Sequence, residues 1–93
     1  MSIDYKTLQR KADILKAIAH PVRLAILKGL MKNGPTRVTD METGIKTNPA
    51  TVSQHLNKFK SVNIVTKERK GVEIYYTIRN VEGVATMLDA FLV

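Results

Sequence analysis

The stretch at residues 45–60 predicts a helix with a sharply defined beginning, and it constrains the fold more than any other part of the chain. Asn48 is a good N-cap, because its side-chain oxygen can accept a hydrogen bond from an early free N–H. Pro49 follows at the first helical position, where its missing N–H costs nothing. The apolar residues then recur at four- and three-residue spacing, at Val52, Leu56 and Phe59. We therefore expect one face of this helix to be buried in a core.

The remaining faces of the same helix are polar and predict contact with DNA. They carry Thr51, Ser53, Gln54, His55 and Lys58. Gln54 can form a bidentate pair with adenine, and the hydroxyls of Thr51 and Ser53 can bond either a base or a phosphate. For His55, a partly exposed helix residue is the alternative interpretation, and we favour contact near DNA.

A short helix and a tight turn precede this helix. Residues 36–44 allow two helical turns with Val38 and Met41 facing inward, and residues 44–48 contain a glycine that can form the turn. A short helix, a tight turn and a polar-faced helix make up the helix-turn-helix plan, which places the second helix for entry into a DNA groove.

The rest of the chain supplies further helices and a hairpin. Residues 4–19 form an amphipathic helix, and Pro21 opens another, with His20 expected to act as a cap or a structural hydrogen-bonding residue. Residues 62–78 are rich in β-branched and aromatic residues around a turn at Gly71, which predicts a hairpin with an outward basic tip, or wing. A last helix runs from Val81 to Val93. The fold class is mainly α with a small β-hairpin: one winged helix-turn-helix domain over residues 1–93, in the order α-α-α-α-β-β-α.

The charge of the chain favours an anionic partner. Fifteen Lys and Arg against eight Asp and Glu give a formal net charge of +7, and the positive charge gathers beside the polar-faced helix. The alternative is a merely solvated charged surface. The residues predicted to contact DNA are Asn48, Thr51, Ser53, Gln54, His55, Lys58, Lys60, Lys67, Arg69 and Lys70. The lysines and the arginine would neutralise backbone phosphates, which positions a protein on DNA without specifying sequence.

Three segments in order along the chain resemble the signatures of the ArsR/SmtB winged-helix repressors. They are LKAIAHPVRLAIL at residues 15–27, TVSQHL at 51–56 and GVEIYYTI at 71–78. They are similar to the family's second helix, its recognition helix and its second wing strand. The resemblance implies homodimers that bind operator DNA and often release it when a ligand, commonly a metal ion, binds.

The sequence departs from the family's metal sites. Where the arsenic and cadmium sensors carry Cys-Val-Cys-Asp-Leu, the matching residues are RVTDM at 37–41. Where the zinc sensors carry Asp and His in the last helix, Val81 and Gly83 stand. The chain has no cysteine and only two histidines, 35 residues apart, whereas zinc needs about four converging ligands. We therefore expect no metal site and no cofactor.

The first and last helices present more apolar surface than so small a core can cover. Pairing them with a second copy across a two-fold axis would bury this surface. The predicted dimer-interface residues are Tyr5, Leu8, Leu15, Val84, Met87, Leu88 and Phe91. Such a homodimer would set two recognition helices one turn of DNA apart, about 34–36 Å, and so would require an inverted-repeat operator.

The most consistent function is a homodimeric, sequence-specific transcriptional repressor that binds a double-stranded DNA operator. The alternatives are a winged-helix protein-interaction module and a nonspecific architectural DNA binder. An enzyme is disfavoured, because the chain lacks cysteine and any carboxylate pair in a cleft-forming context. The start of the chain lacks the apolar run of a signal peptide, so we expect a cytoplasmic protein without a membrane partner. An unknown small-molecule or protein effector stays open.

Overall fold

The computed structural model describes residues 2–45 and 47–91, which form five α-helices and three short β-strands. The helices are α1 (Tyr5–Ile18), α2 (Pro21–Asn33), α3 (Val38–Ile45), α4 (Pro49–Ser61) and α5 (Val81–Phe91). The strands are β1 (Thr36–Arg37), β2 (Val65–Lys70) and β3 (Glu73–Ile78). Residues 92–93, predicted to extend the last helix, lie outside the described residues.

Four of the helices begin at side-chain caps, including α5, where Oδ1 of Asn80 accepts from the N–H of Gly83 at 2.9 Å. Asp4 accepts from the backbone N–H of Thr7 at 3.2 Å, which starts α1. Nδ1 of His20 accepts from the N–H of Val22 at 3.1 Å and starts α2, so the predicted capping role of His20 is confirmed. Oδ1 of Asn48 accepts from the N–H of Thr51 at 2.9 Å, as predicted for α4. Each cap satisfies a donor that the first helical turn would otherwise leave without a partner.

The sheet corrects one sequence prediction. The hairpin forms as expected from β2 and β3, but the sheet has a third strand, and its order is β1-β3-β2. Thr36 pairs with Tyr76 and Arg37 with Tyr75, so the segment predicted as the start of the third helix is a strand instead. Helix α3 begins only at Val38, and the element order is α-α-β-α-α-β-β-α. The cause is tertiary, since β3 offers a free edge to these two residues.

The core joins buried residues of helices α1 to α4 with those of the sheet. The fully buried large side chains are Phe59, Ile26, Leu27, Leu56, Val52 and Val65. The three predicted inward residues of α4 are all completely buried. This burial fixes which side of α4 faces outward, because a helix rotated about its axis would expose this apolar stripe.

No helix among the described residues is long and apolar enough to cross a membrane.

Candidate nucleic-acid interface

The outward face of α4 carries the polar residues of the proposed recognition surface. Gln54 and Lys58 are exposed, and Thr51 and Ser53 are half-buried. Asn48 is exposed as well, but its side-chain oxygen is engaged in capping the helix. The first turns of α4 therefore present an amide and two hydroxyls, which can hydrogen-bond base edges or phosphates.

The wing projects a second group of basic residues. Lys67, Arg69 and Lys70 are exposed on β2, and the strand turns at Gly71, whose φ of +65° is a conformation that glycine adopts without strain. Arg69 donates from Nε to the carbonyl of Gly71 at 2.9 Å, which stiffens the turn. Nζ of Lys70 lies 5.4 Å from the ring centre of Tyr75, within the range of a cation–π contact. The basic tip is thus held by its own side chains.

Lys60 on the recognition helix and Lys67 on the wing lie close to each other. Lys60 lies near the end of α4, and Lys67 lies on β2. The positive charge of Lys67 is the main cause that lowers the pKa of Lys60, with a smaller contribution from burial. Two ammonium groups held together repel each other, and an anion between them would relieve that repulsion. The pair therefore concentrates positive charge between α4 and the wing.

A network around Arg37 ties the base of the wing to α3. The Arg37 guanidinium forms two hydrogen bonds with Asp40, at 3.0 Å and 3.3 Å, and another with Glu73 on β3. Tyr75 donates to the other oxygen of Glu73 at 2.8 Å. The bond from Tyr75, followed by the bond from Arg37 and the charge of Arg37, lowers the pKa of Glu73. The bonds to Asp40 and Glu73 raise the pKa of Arg37.

Sequence reasoning did not assign this network a role at the site. The spacing of Arg37 and Asp40, three residues apart, was the only available signal. Glu73 is 36 residues away along the chain and is brought to Arg37 only by the pairing of β1 with β3.

His55 is placed differently from the other predicted DNA contacts. It is half-buried, and its Nδ1 accepts a hydrogen bond from Nε of Arg23 on α2 at 3.0 Å. Its ring lies 4.7 Å from that of His20, centre to centre. His55 therefore packs against the junction of α1 and α2, and its contact with DNA stays a prediction beside the alternative of a partly exposed helix residue.

The predicted dimer-interface residues divide into exposed and packed groups. Tyr5, Leu8 and Leu15 are 74%, 50% and 57% exposed on α1. Val84 and Met87 are half-buried and pack against the chain's own core. The side chain of Phe91 lies outside the part that the structure describes.

Leu88 is mostly covered within the single chain. It is 9% exposed within the single chain, because α5 turns it toward α2, where it lines a small cleft with Met31. The spacing of Leu88 suits packing inside the chain as well as packing against a partner, so its place in a dimer interface stays a prediction. Among the described residues of the two helices, the large apolar side chains that stay exposed are Tyr5, Leu8 and Leu15 on α1 and Val81 on α5.

The positions that match the family's cysteine metal ligands are occupied by Arg37 and Thr39. Arg37 is paired with Asp40 and Glu73, as described above. Among residues 2–45 and 47–91, no group of three or more His, Cys, Asp or Glu side chains converges so that it could hold a metal ion.

The fold and the site together define a winged helix-turn-helix transcriptional regulator. Residues 20–67 match the family described as bacterial regulatory protein, arsR family. The chain belongs to this family.

Individual relatives agree with this assignment. The transcriptional repressor PagR of Bacillus anthracis is 40% identical over 89 residues, which cover 94% of this chain and 89% of PagR. Its crystal structure matches with a TM-score of 0.79 over 91% of this chain and 99% of PagR. The homodimeric winged helix-turn-helix DNA-binding domain Mb0332 from Mycobacterium bovis is 33% identical, with a TM-score of 0.82 over 96% of this chain and 82% of that domain. NolR from Sinorhizobium fredii is 28% identical, with a TM-score of 0.84 over 97% of this chain and 91% of NolR.

Proposed function

We propose that this chain is a cytoplasmic, homodimeric transcriptional repressor that binds an inverted-repeat operator. The observation that carries the proposal is the continuity of polar and basic groups from the start of α4, through Lys60 and Lys67, to the tip of the wing. PagR, which is 40% identical, is a transcriptional repressor, and the Mb0332 domain is a homodimer that binds DNA. Both likenesses support the proposal.

In the proposed complex, α4 enters the major groove and its first turns read the bases. Gln54 would pair with adenine through its amide, and Thr51 and Ser53 would bond a base or a phosphate. Five cationic side chains contact backbone phosphates on either side of the groove. They are Lys58, Lys60, Lys67, Arg69 and Lys70. These contacts supply affinity and register, and the amide and hydroxyls supply sequence preference.

Dimerisation is proposed through the exposed apolar side of α1, where Tyr5, Leu8 and Leu15 lie. A two-fold axis at this face would present two copies of α4 to the same side of DNA, about 34–36 Å apart. Repression would then follow from occlusion of a promoter that overlaps the operator.

The signal that releases the DNA is proposed to differ from thiolate-bound metal, since Arg37 occupies a ligand position and is itself ion-paired. Three mechanisms of DNA release remain: an organic effector, a protein partner, and dissociation of the dimer by mass action.

The test is selection of duplex sites from a random pool, followed by affinity measurements over a range of salt concentrations. We expect a steep salt dependence and selected sites that bind roughly a thousandfold tighter than random duplex. Gln54→Ala should reduce that preference at particular base positions. Gln9→Ala is the matched control, because Gln9 lies exposed on α1 and bonds Asp13 at 3.0 Å.

Two results would overturn the proposal. Binding without sequence preference would indicate a nonspecific architectural protein. Absence of salt-dependent binding would instead indicate a protein-interaction module.

A further inference from the structure

The guanidinium of Arg23 joins three helices at one point. Its Nε donates to Nδ1 of His55 on α4 at 3.0 Å, and its Nη1 donates to the carbonyl oxygen of Ala17 on α1 at 3.1 Å. Arg23 itself lies in the first turn of α2. The position of α4 relative to α1 and α2 is therefore defined by a polar contact as well as by the apolar core.

Both histidines in this cluster act as hydrogen-bond acceptors. Nδ1 of His55 accepts from Arg23, and Nδ1 of His20 accepts from the backbone N–H of Val22. A ring nitrogen that accepts a hydrogen bond carries no proton, and in a protonated imidazole both nitrogens are donors. The hydrogen bond from Arg23 thus requires a neutral ring at His55.

Protonation of His55 would also place like charges together. From α2, the groups that act on His55 are His20, 4.7 Å away between ring centres, and Arg23. The group from α1 is the carbonyl oxygen of Ala17, which accepts from Arg23. On α4 itself, the nearby cation is Lys58, whose side chain is exposed. Burial, then His20, then Arg23 lower the pKa of His55 from its ordinary value of 6.5.

We propose that Arg23 and His55 form a pH-sensitive link that positions the recognition helix, so that protonation of His55 breaks the link and weakens operator binding. The inference rests on the proposed function, because it assigns a regulation to the same DNA surface. Arg23 acts here as a positioning residue, through His55, and its side chain is directed into the protein.

The link can open without unfolding the chain. Val52, Leu56 and Phe59 keep α4 anchored in the core when the polar contact is lost. A dimer must present two recognition helices in register with one DNA duplex. A small change in the tilt of α4 therefore displaces the recognition helix in both halves of the operator. Operator affinity should therefore respond more strongly than global stability.

The direction of the pH effect follows from the lowered pKa of His55. The stability of the linked arrangement is fully present above pH 6.5, the ordinary value. It is lost as the pH falls from 6.5 through the folded-state pKa, because there the unlinked state binds the proton more readily.

Nuclear magnetic resonance of the free protein tests the link without DNA. Between pH 7.5 and 5, the Nε–H signal of Arg23 should shift with the same midpoint as the ring of His55, below 6.5. An Arg23 signal that does not follow His55, or a midpoint of 6.5 or higher, would overturn the proposal even if operator binding is established.

Operator binding supplies the second test, at pH 7.5 and 5.5. The ratio of selected-site to random-duplex affinity should fall at least about threefold in the wild type, since the dimer carries two His55 side chains and each linked proton changes affinity by at most about tenfold per pH unit. In His55→Gln, whose amide oxygen accepts a hydrogen bond without titrating, the ratio relative to its own value at pH 7.5 should stay constant within about twofold. An equal loss in both proteins would refute the link.

Arg23→Gln gives a check that does not depend on the histidine variant. Removal of this cation should move the midpoint of His55 toward higher pH, whereas Arg10→Gln, on an exposed part of α1, should leave it unchanged. Equal midpoints in Arg23→Gln and the wild type would contradict the proposal. If no selected site is found at pH 7.5, the proposed function fails, and the resonance experiments still decide whether the link exists.

Discussion

Arg37, the last residue of β1, donates from Nη1 to Oε1 of Glu73, the first residue of β3, and so connects the start of the helix-turn-helix to the wing. The same guanidinium holds Asp40 in the first turn of α3. Since Glu73 also accepts from Tyr75, the base of the wing and the first helix of the motif share one polar network. Their relative orientation is therefore coupled, which matters for a surface that must fit two parts of one duplex.

Glu73 should contribute to stability only above its titration range. Its lowered pKa means that its contribution is present above about pH 4.5, the ordinary value, and is lost as the pH falls through the folded-state value. In Glu73→Gln, stability should therefore fall less between pH 6 and 3 than in the wild type. Urea unfolding at both pH values measures this. Glu68→Gln, also exposed on the wing, is the control, and an equal acid loss in both variants would contradict the prediction.

Lys67→Ala should have two separable effects. Because the charge of Lys67 is the main cause of the lowered pKa of Lys60, its removal should raise that pKa toward 10.5, as measured by side-chain NMR titration. Loss of one phosphate contact from each half of the dimer should also reduce the salt slope of operator binding by about two. Lys6→Ala on α1 provides the comparison and should change neither quantity. A raised pKa with an unchanged salt slope would mean that the pair does not bind phosphate.

Replacement of Leu8 and Leu15 by Asp should separate the dimer. Both are at least half exposed in the single chain, so the change should leave the protomer folded while placing charge in the proposed interface. Sedimentation equilibrium should show a monomer, and operator affinity should fall by about a hundredfold or more with the loss of bivalency. Val72→Asp, at a wing-tip residue that is 91% exposed, should remain dimeric. A double variant that stays dimeric would place the interface elsewhere.

Asn48→Ala should weaken the beginning of the recognition helix. The side chain caps α4 through the N–H of Thr51, and loss of such a cap costs about 1 kcal/mol of stability. Asn57→Ala, at an exposed position within the same helix, should cost much less. Thermal unfolding compares the two variants, and equal costs would show that the cap contributes little.

The sequence was sufficient for those elements whose signals are local. Apolar spacing predicted α1, caps together with apolar spacing predicted α2 and α4, and the change to β-branched and aromatic residues predicted the hairpin. Strand β1 could not be predicted in this way, because two residues carry no periodicity and Thr36 becomes extended only by pairing with Tyr76. Leu88 shows the same limit, since spacing identifies an apolar face but not which neighbour covers it.

The contact between Arg23 and His55 could not be read from the sequence either. The two residues are 32 positions apart, and their approach depends on how α2 and α4 cross the core. Sequence chemistry indicated that His55 could reach DNA, whereas tertiary packing placed its Nδ1 against a guanidinium. Polar pairs between distant elements need the three-dimensional arrangement before they can be recognised.

The central place of β3 in the sheet has a consequence for how this protein can diversify. β3 is hydrogen-bonded to β1 on one edge and to β2 on the other, so its position in the sheet is fixed. The turn at Gly71 and Val72, by contrast, is exposed. Residues can be inserted or exchanged at this turn without disturbing the pairs that hold the strand. Descendants or engineered versions of the chain could therefore acquire new target sites by changes at the tip alone, on an unaltered scaffold.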